Sequence, residues 1–268
     1  MQPTIVRDII GDIADFADKT ITIAEFEARK LQHDYMGVVT RAVQPALWLI
    51  IYGEIMGNLR AIPTGNLSYV DFMAPGILAQ SVLFVAIFYG IAAIWERDLG
   101  IIQKFLASPL PRSSIVVGKA LSASERALVQ TVIVYSLSVL LGVKLNYSII
   151  AILSVVAIVS LGSALFSTFS LIIACIVRTR ERFMGMGQVL TMPLFFASNA
   201  IYPISIMPGW LQAISQANPL TYEVDGLRGM MIVGGPCVYG LPLDIAVLFA
   251  FTGVLVAIAA RLYTHIIT

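Results

Sequence analysis

Residues 72–94 read FMAPGILAQSVLFVAIFYGIAAI, without one charged side chain. About 20 helical residues cross the roughly 30 Å hydrocarbon core of a bilayer, so this run predicts a membrane-spanning helix. The whole chain agrees with that reading. Of its 268 residues 58% are hydrophobic and only 12% are charged, whereas soluble domains carry about 25% charged residues. Together with a mean hydropathy of +0.87, this composition indicates a polytopic membrane protein.

Further apolar runs predict five more spans. These runs are residues 42–58, 127–143, 145–177, 184–202 and 245–262. The uncharged stretch 183–222 is too long for one helix, and Pro203 and Pro208 interrupt it, so we place the fifth span before them. We therefore expect an all-α membrane protein in which residues 1–268 form a single transmembrane domain and residues 38–268 a six-span bundle.

The distribution of basic residues predicts the orientation of the bundle. With six spans, both termini lie on one side, and that side carries fourteen of the 17 Lys and Arg residues. Only Arg60, Lys144 and Arg228 fall on the other side. Because cytoplasmic loops are enriched in Lys and Arg, we expect a cell-membrane protein with both termini in the cytoplasm.

Residues 1–37 predict an amphipathic helix rather than a signal peptide. Apolar residues such as Ile9, Ile13 and Phe16 recur at roughly helical spacing with acidic residues between them. No continuous apolar core precedes a small-residue cleavage site, as a secretory signal would require. We expect this segment to lie along the cytoplasmic interface.

Two connecting segments are unusual. The loop after the second span mixes charges with apolar residues and ends at Pro109 and Pro111, which predicts one or two helical turns. The segment from Tyr202 to about Val238 is rich in proline, yet too apolar for an exposed loop. Short re-entrant helices would satisfy its backbone at membrane depth.

Several functional classes are poorly supported by the sequence. The nearest approach to a phosphate-binding loop, residues 113–120, has Ser113 in place of the leading glycine and Ala120 in place of the Ser or Thr. With two Cys and two His residues and no CxxC motif, a metal site or disulfide framework is not expected. Hydrolase motifs are absent, and a net charge of +1 gives no basic field for nucleic acid. We expect no enzymatic activity and no cofactor on this chain.

The first span contains one acidic residue, Glu54, and a GxxxG motif formed by Gly53 and Gly57. An ionisable residue inside a membrane is a functional candidate, but Glu54 could also be hydrated near the outer end of the span or pair with Arg60. The glycines allow close helix approach, as at a subunit contact, although small residues are common in membrane helices. The basic run 178–182 is most simply a topology anchor, and contact with an acidic partner is the alternative.

Two stretches resemble ABC type-2 transporter permeases. The first comprises WERD at residues 95–98 with Gly100, KFLASP at 104–109, then Pro111-Arg112 and Gly118-Lys119. The second comprises NAIYP at 199–203, MPGWL at 207–211, NPLTY at 218–222 and DGLR at 225–228. Within the family the chain is most similar to drug-resistance and nodulation-type export permeases.

This resemblance implies an exporter subunit powered by a separate ATPase, which would bind the ATP and magnesium. A coupling helix between spans two and three would dock on that ATPase through Glu96, Arg97, Asp98, Gly100, Ile101, Lys104, Phe105, Leu106, Pro109 and Arg112. Pathway or subunit contacts would involve Gly53, Glu54, Gly57, Asn199, Tyr202 and Pro203. The outer re-entrant segment would involve Pro208, Trp210, Asn218, Pro219 and Tyr222.

The resemblance further implies two ATPase subunits and a second permease subunit in the lipid bilayer. We expect a homodimer, while a heterodimer with a related permease stays open. Weakly charged spans favour an amphipathic, drug-like, lipid or lipid-linked saccharide cargo. The alternatives are a secondary transporter driven by an ion gradient, which would want more charged residues at mid-membrane depth, and a structural or signalling membrane subunit.

Overall fold

The computed structural model describes residues 35–60, 62–101, 112–177 and 179–262, with the side chains of 35–39 and 112–114 excepted. The α-helices of these residues are α1 (Tyr35–Ala46), α2 (Gly53–Leu59), α3 (Tyr69–Asp98), α4 (Arg112–Leu140), α5 (Ile149–Ile176), α6 (Arg180–Phe196), α7 (Gly209–Ala217), α8 (Pro219–Met231) and α9 (Leu241–Leu262). A π-helix, Leu47–Tyr52, joins α1 to α2, and a 3-10 turn, Ile204–Ile206, precedes α7.

The expected all-α class is confirmed for the described residues. They contain no β-strand, and their one isolated bridge pairs Leu145 with Ile232. Three of these helices, α3, α5 and α9, are long and apolar enough to cross a membrane. The six-span count stays a prediction, as does the domain division. The expected interfacial helix lies almost entirely outside the described residues.

Helix α5 is the centre of the bundle. It packs against α3, α4, α8 and α9, and its sequence gives apolar or small side chains on every face, as a buried membrane helix requires. The most apolar stretch of α3 is 72% buried, whereas that of α9 is only 17% buried. Helix α3 is therefore an interior helix, and α9 offers most of its surface to its surroundings.

The helix boundaries follow local capping chemistry. The Ser68 hydroxyl accepts the Asp71 N–H at 3.1 Å and starts α3, because side-chain oxygens satisfy the free amides of a first helical turn. The Thr179 hydroxyl does the same for the Arg182 N–H at the start of α6. Gly100 follows α3 with a φ of 71°, the left-handed conformation that ends many helices.

The bundle has two distinct ends. We call the end formed by the C-termini of α3 and α5 and the N-termini of α4 and α6 the basic end. A separate apolar cluster that includes Ile94, Ile115 and Phe183 holds it together. We call the other the distal end, where the loops before α3, α5, α7 and α9 lie. There the Lys144 N–H donates to the Asp71 carboxylate at 3.1 Å.

Helix α4 begins well before the span expected at residues 127–143. The helix is continuous from Arg112, and its first half carries Lys119, Glu125 and Arg126. Because these charges interrupt the apolar run, the sequence predicts only the second half of α4 as a span. The fifth span, expected at residues 184–202, is helical only to Phe196 and starts earlier, at Arg180.

Candidate functional site

The loop that resembles a coupling element leaves α3 at the basic end. Residues 102–111, which include the predicted docking residues Lys104, Phe105, Leu106 and Pro109, lie outside the described part of the chain. The side chain of Arg112 is not described either. Ile101 is half-buried just after Gly100. The structure therefore describes the two flanks of this loop, and the docking role of its centre stays a prediction.

A buried ion pair ties these two flanks together. The Lys119 ammonium of α4 donates to the Glu96 carboxylate of α3 at 2.5 Å, and the side chains are 1% and 5% exposed. Breaking a buried pair is costly, because the surviving charge stays out of water. Glu96 is therefore buried against α4, and its predicted contact with an ATPase stays a prediction.

A second set of contacts joins α3 to α6 at the same end. The Arg180 guanidinium lies 3.3 Å above the centre of the Trp95 ring and donates to the Asp98 carboxylate at 2.7 Å. Arg97 also donates to Asp98, at 3.1 Å. These groups are one-fifth to two-fifths exposed, so they form a charged rim that a partner protein could contact.

A pocket of about 490 Å³ with polar and apolar walls opens between α1, α3 and α4. We call it the three-helix pocket. Its walls are Thr40, Arg41, Gln44, Ser81, Phe84, Val85, Phe88, Tyr89, Ala92, Arg126 and Gln130. The sequence analysis did not predict this pocket, because it uses Arg41 and Arg126 only to assign the side of the membrane on which the loops lie. The available signal was that Arg126 and Gln130 are one helical turn apart and therefore share a face of α4.

The predicted outer residues at 199–203 belong to a buried, irregular segment that follows α6. Such a segment needs hydrogen bonds from elsewhere, because an unpaired buried carbonyl is costly. The Arg228 guanidinium donates to the Asn199 carbonyl at 2.7 Å, and the Tyr69 hydroxyl donates to the Ile201 carbonyl at 3.0 Å. The Tyr202 hydroxyl donates to the Phe196 carbonyl, at the end of α6, at 2.5 Å.

Asn218 connects this segment to the next helices. Its amide nitrogen donates to the Leu194 carbonyl at the end of α6, at 2.7 Å, and its side-chain oxygen accepts the Leu220 N–H at 3.0 Å. Pro219 occupies the first turn of α8, where a missing N–H costs nothing. The Asn-Pro pair therefore ends one helix and starts another.

Close backbone contact fixes the same segment against α3. A Cβ atom at Gly76 would overlap the Ala200 carbonyl and lie 2.7 Å from the Ala200 Cα. Only glycine allows this approach. The Arg228 guanidinium also donates to the Phe72 carbonyl, at 3.2 Å, one turn before Gly76. Residue 228 thus bonds to both α3 and the irregular segment.

The remaining outer residues are at the surface. Pro208 precedes α7 and Trp210 is 67% exposed on it. The Tyr222 hydroxyl donates to the Gln216 carbonyl at 2.7 Å, and its ring lies 5.1 Å from that of Tyr239. Pro203 directly precedes the 3-10 turn. Two short helices therefore occupy the predicted re-entrant segment, and their depth in a membrane stays a prediction.

The GxxxG motif packs within the chain. A Cβ at Gly53 would lie 3.5 Å from Val70 of α3, and one at Gly57 would lie 3.8 Å from Tyr69. Glu54 is exposed, and no ion pair with Arg60 is present among the described residues. The glycines therefore serve the contact of α2 with α3, and a contact with a second subunit stays a prediction.

Three side chains at the distal end are close enough to share a metal ion. The ligand atoms of Asp225, Cys237 and Asp244 lie within 4.8 Å of one another. The Cys237 thiol donates to Asp244 at 3.4 Å. Burial, with a smaller contribution from the two carboxylates, raises the pKa of Cys237 to about 12. Metals bind the deprotonated thiolate, whereas here the Cys237 thiol is a protonated donor to Asp244.

These features define a polytopic helical membrane protein with a charged rim at one end and irregular, buried backbone at the other. Residues 19–232 match the family model for the ABC-2 type transporter. That match covers more than half of the chain, so the chain belongs to the ABC-2 type transporter family.

Curated relatives give the same result. The chain is 31% identical to the putative transport permease ycf38 of Cyanophora paradoxa over 71% of its own length and 66% of the relative's. It is 29% identical to the probable doxorubicin resistance ABC transporter permease protein DrrC of Mycobacterium tuberculosis, over 76% and 72% of the two chains. It is 25% identical to the inner membrane transport permease YadH of Escherichia coli, over 73% and 77%. The chain thus spans slightly less than two thirds of the length of the Cyanophora relative.

Proposed function

We propose that this chain is the membrane-spanning permease subunit of an ATP-binding-cassette exporter, and that a separate subunit hydrolyses the ATP and holds the magnesium. Family membership and the names of the relatives support the permease role. The observation that carries the docking part is the construction of the basic end. There the loop between α3 and α4 leaves from flanks that a buried ion pair holds together.

Rigid flanks would let the loop act as a lever. A force on the docked loop would pass through the Glu96–Lys119 pair to α3 and α4, and through Arg180 to α6. Packed helices shift as rigid bodies, so closure of two ATPase subunits below would move these three helices together. We propose that this movement alternates the side to which the pathway opens.

We propose six spans, formed by the α1–π–α2 helix, α3, α4, α5, α6 and α9, in the plasma membrane with both termini in the cytoplasm. Helix α6 has 17 residues, about 25 Å at 1.5 Å per residue, which is short for a bilayer core. The buried segment after it would complete the crossing, because its carbonyls have side-chain donors. Helices α7 and α8 would be re-entrant.

The proposed cargo is amphipathic: a drug-like compound, a lipid or a lipid-linked saccharide. The apolar surface of α9 and the name of the DrrC relative, which refers to doxorubicin resistance, support this class. The proposed assembly contains two permease subunits, most simply two copies of this chain. We assign the chain no enzymatic activity of its own.

The test is co-purification of an ATPase from native membranes with this chain as bait, for wild type and Phe105→Asp. We expect the wild type to retain an ATPase whose activity copurifies, and Phe105→Asp to lose it, because a charge would be introduced into the apolar centre of the docking loop. The matched control is Ile206→Asp, the same kind of change at an exposed position of the distal end, which should retain the ATPase.

A second candidate is a secondary transporter that acts without an ATPase. The observation that favours it is the buried carboxyl of Glu223, which packs against Gly162 and has no hydrogen-bond partner within the described part of the chain. If no ATPase copurifies with wild type, the exporter proposal is wrong. Proton-driven uptake by the chain alone in liposomes, abolished by Glu223→Gln, would then support the second candidate.

A further inference from the structure

We propose that Asp225, Cys237 and Asp244 bind a thiophilic divalent cation, exemplified by Zn²⁺. The three residues come from consecutive segments of the distal end, which are α8, the loop after it and the first turn of α9. Their ligand atoms lie within 4.8 Å of one another. Carboxylates and a cysteine sulfur are among the ligands of protein zinc sites. The inference goes beyond the proposed export function and does not depend on it.

The two carboxylates each leave one buried oxygen without a donor. Both side chains are 0% exposed. Asp225 Oδ2 accepts the Tyr239 N–H at 2.8 Å, and Asp244 Oδ2 accepts from the Cys237 thiol. Neither Oδ1 atom has a hydrogen-bond partner among the described residues. Because a buried carboxylate oxygen without a partner is costly, these two atoms point to a ligand, and one bound cation would satisfy both.

The charge around the site also favours a cation. Arg228, one turn after Asp225 on α8, is close enough to act on it electrostatically. Its described hydrogen bonds, however, go to the carbonyls of Phe72 and Asn199. Two ionised carboxylates and one thiolate would carry three negative charges. Arg228 and a divalent cation together would balance them, as buried charges require.

Two glycines of α8 let the ligands approach one another. A Cβ atom at Gly226 would lie 3.4 Å from the Asp244 carboxylate, and one at Gly229 would lie only 2.8 Å from the Cys237 Cβ. Gly226 and Gly229 are one helical turn apart and share a face, so the loop and α9 both lie close against α8 there. Cys237 is partly exposed, which gives a cation access from solvent.

Metal binding needs only a small change at the site. Ligand atoms of a tetrahedral zinc ion are about 3.5 Å apart, so side-chain shifts of about 1 Å would suffice. The Cys237 thiol directs its proton at the Asp244 carboxylate. A cation between these groups would take the place of that proton, which passes to solvent. A water molecule would complete four ligands, and the metal would join α8, the loop and α9.

The experiment uses Co²⁺ as a probe, because its bond to a thiolate gives a charge-transfer absorption that Zn²⁺ lacks. The full-length chain is purified in detergent without an affinity tag and titrated with Co²⁺. We expect the band to saturate at one Co²⁺ per chain. Zn²⁺ should then abolish it by displacement, with an apparent dissociation constant of about 10 µM or lower.

Two variants test the two kinds of ligand. Cys237→Ser removes the proposed thiolate and keeps Cys175, so the band should disappear. Asp244→Asn keeps the thiol and the side-chain size, and we expect Co²⁺ binding to weaken about tenfold or more, because a neutral amide replaces the carboxylate. The matched control is Glu181→Gln, which removes one negative charge from an exposed position at the basic end. It should bind as wild type does.

A thermal measurement guards against misfolding of the variants. Zn²⁺ at about ten times its dissociation constant should raise the melting temperature of wild type by about 3 °C, because the metal binds the folded chain. Mg²⁺, which prefers six oxygen ligands, should leave it unchanged. Neither cation should shift the melting temperature of Cys237→Ser.

Three results would overturn the proposal. One is the absence of the charge-transfer band from wild type at about 1 mM Co²⁺, the level of a weak contact. Another is an undiminished band in Cys237→Ser, which would place the metal on Cys175. The third is equal Co²⁺ affinity of Asp244→Asn and wild type, which would indicate an adventitious ion only, held by the thiol without the carboxylate.

Discussion

The two ends of this bundle are stabilised by different chemistry. At the basic end, charged side chains on different helices pair with each other, as Lys119 does with Glu96. At the distal end, side chains donate instead to main-chain carbonyls of the irregular segment after α6. An ion pair can be rebuilt with other residues in the same positions, whereas a carbonyl acceptor cannot be removed by substitution. The distal end therefore depends more strictly on the identity of its donors.

The largest effect is expected at the basic end, in Lys119→Met. Glu96 is 4% exposed, and loss of the charge that faces it should cost about 3–5 kcal/mol of stability. Thermal unfolding in detergent measures the loss. The double variant Lys119→Met with Glu96→Met should recover most of it, because no charge is then left buried. A double variant as unstable as the single one would show that the pair itself is not the source.

The distal end should behave differently in Arg228→Met. The Asn199 and Phe72 carbonyls would lose their donor, at a cost of about 2–4 kcal/mol in unfolding free energy. No second substitution can compensate, since both acceptors are backbone atoms. Arg228→Lys, which keeps one donor group, should recover part of the loss. Equal melting temperatures of Arg228→Met and wild type would contradict the role given to these bonds.

A smaller loss is expected in Asn218→Ala. It removes the cap of α8 and the donor to the Leu194 carbonyl, which together should cost about 1–2 kcal/mol. Asn218→Asp keeps the cap and removes the donor. A comparison of the two melting temperatures therefore separates the cap from the bond to α6. If Asn218→Asp is as stable as wild type, the bond to α6 contributes nothing.

The smallest effect concerns reactivity rather than stability. With a pKa of about 12, the Cys237 thiol is almost entirely protonated at pH 8, so alkylation by a maleimide should be slow and should accelerate as the pH rises. Asp244→Asn replaces the carboxylate that accepts from the thiol with a neutral amide, and the loss of this nearby negative charge should lower the pKa of Cys237 and speed the reaction a few-fold. The measurement is the labelling rate between pH 7 and 9 in a variant that lacks Cys175. An unchanged rate in Asp244→Asn would contradict this account.

The sequence predicts the helices where apolar runs are uninterrupted. Residues 72–94 and 145–177 were recognised in this way, and the structure has α3 and α5 there. The first half of α4 was not read as part of the spanning helix, because it combines Lys119 and Arg126 with apolar faces. A buried charge can be predicted from sequence only when its partner is known. Glu96, the partner of Lys119, is 23 residues away along the chain.

The family resemblance named the outer residues as a group, but it did not predict which atoms they contact. The bonds of Arg228 reach 29 residues to Asn199 and 156 residues to Phe72. No local pattern reports contacts at such separations. The docking loop differs from the outer residues. The resemblance assigns a role to its central residues, but the structure describes only the chain on either side of residues 102–111.

The π-helix between α1 and α2 changes which residues of the first span share a helix face. A π turn accommodates about one extra residue, which rotates everything after it by about 100° relative to an ideal α-helix. As a result α1 packs mainly against α4, whereas α2 packs against α3. A single helical wheel drawn through residues 35–59 would therefore assign one half of this span to the wrong face, and substitution scans of it need two separate wheels.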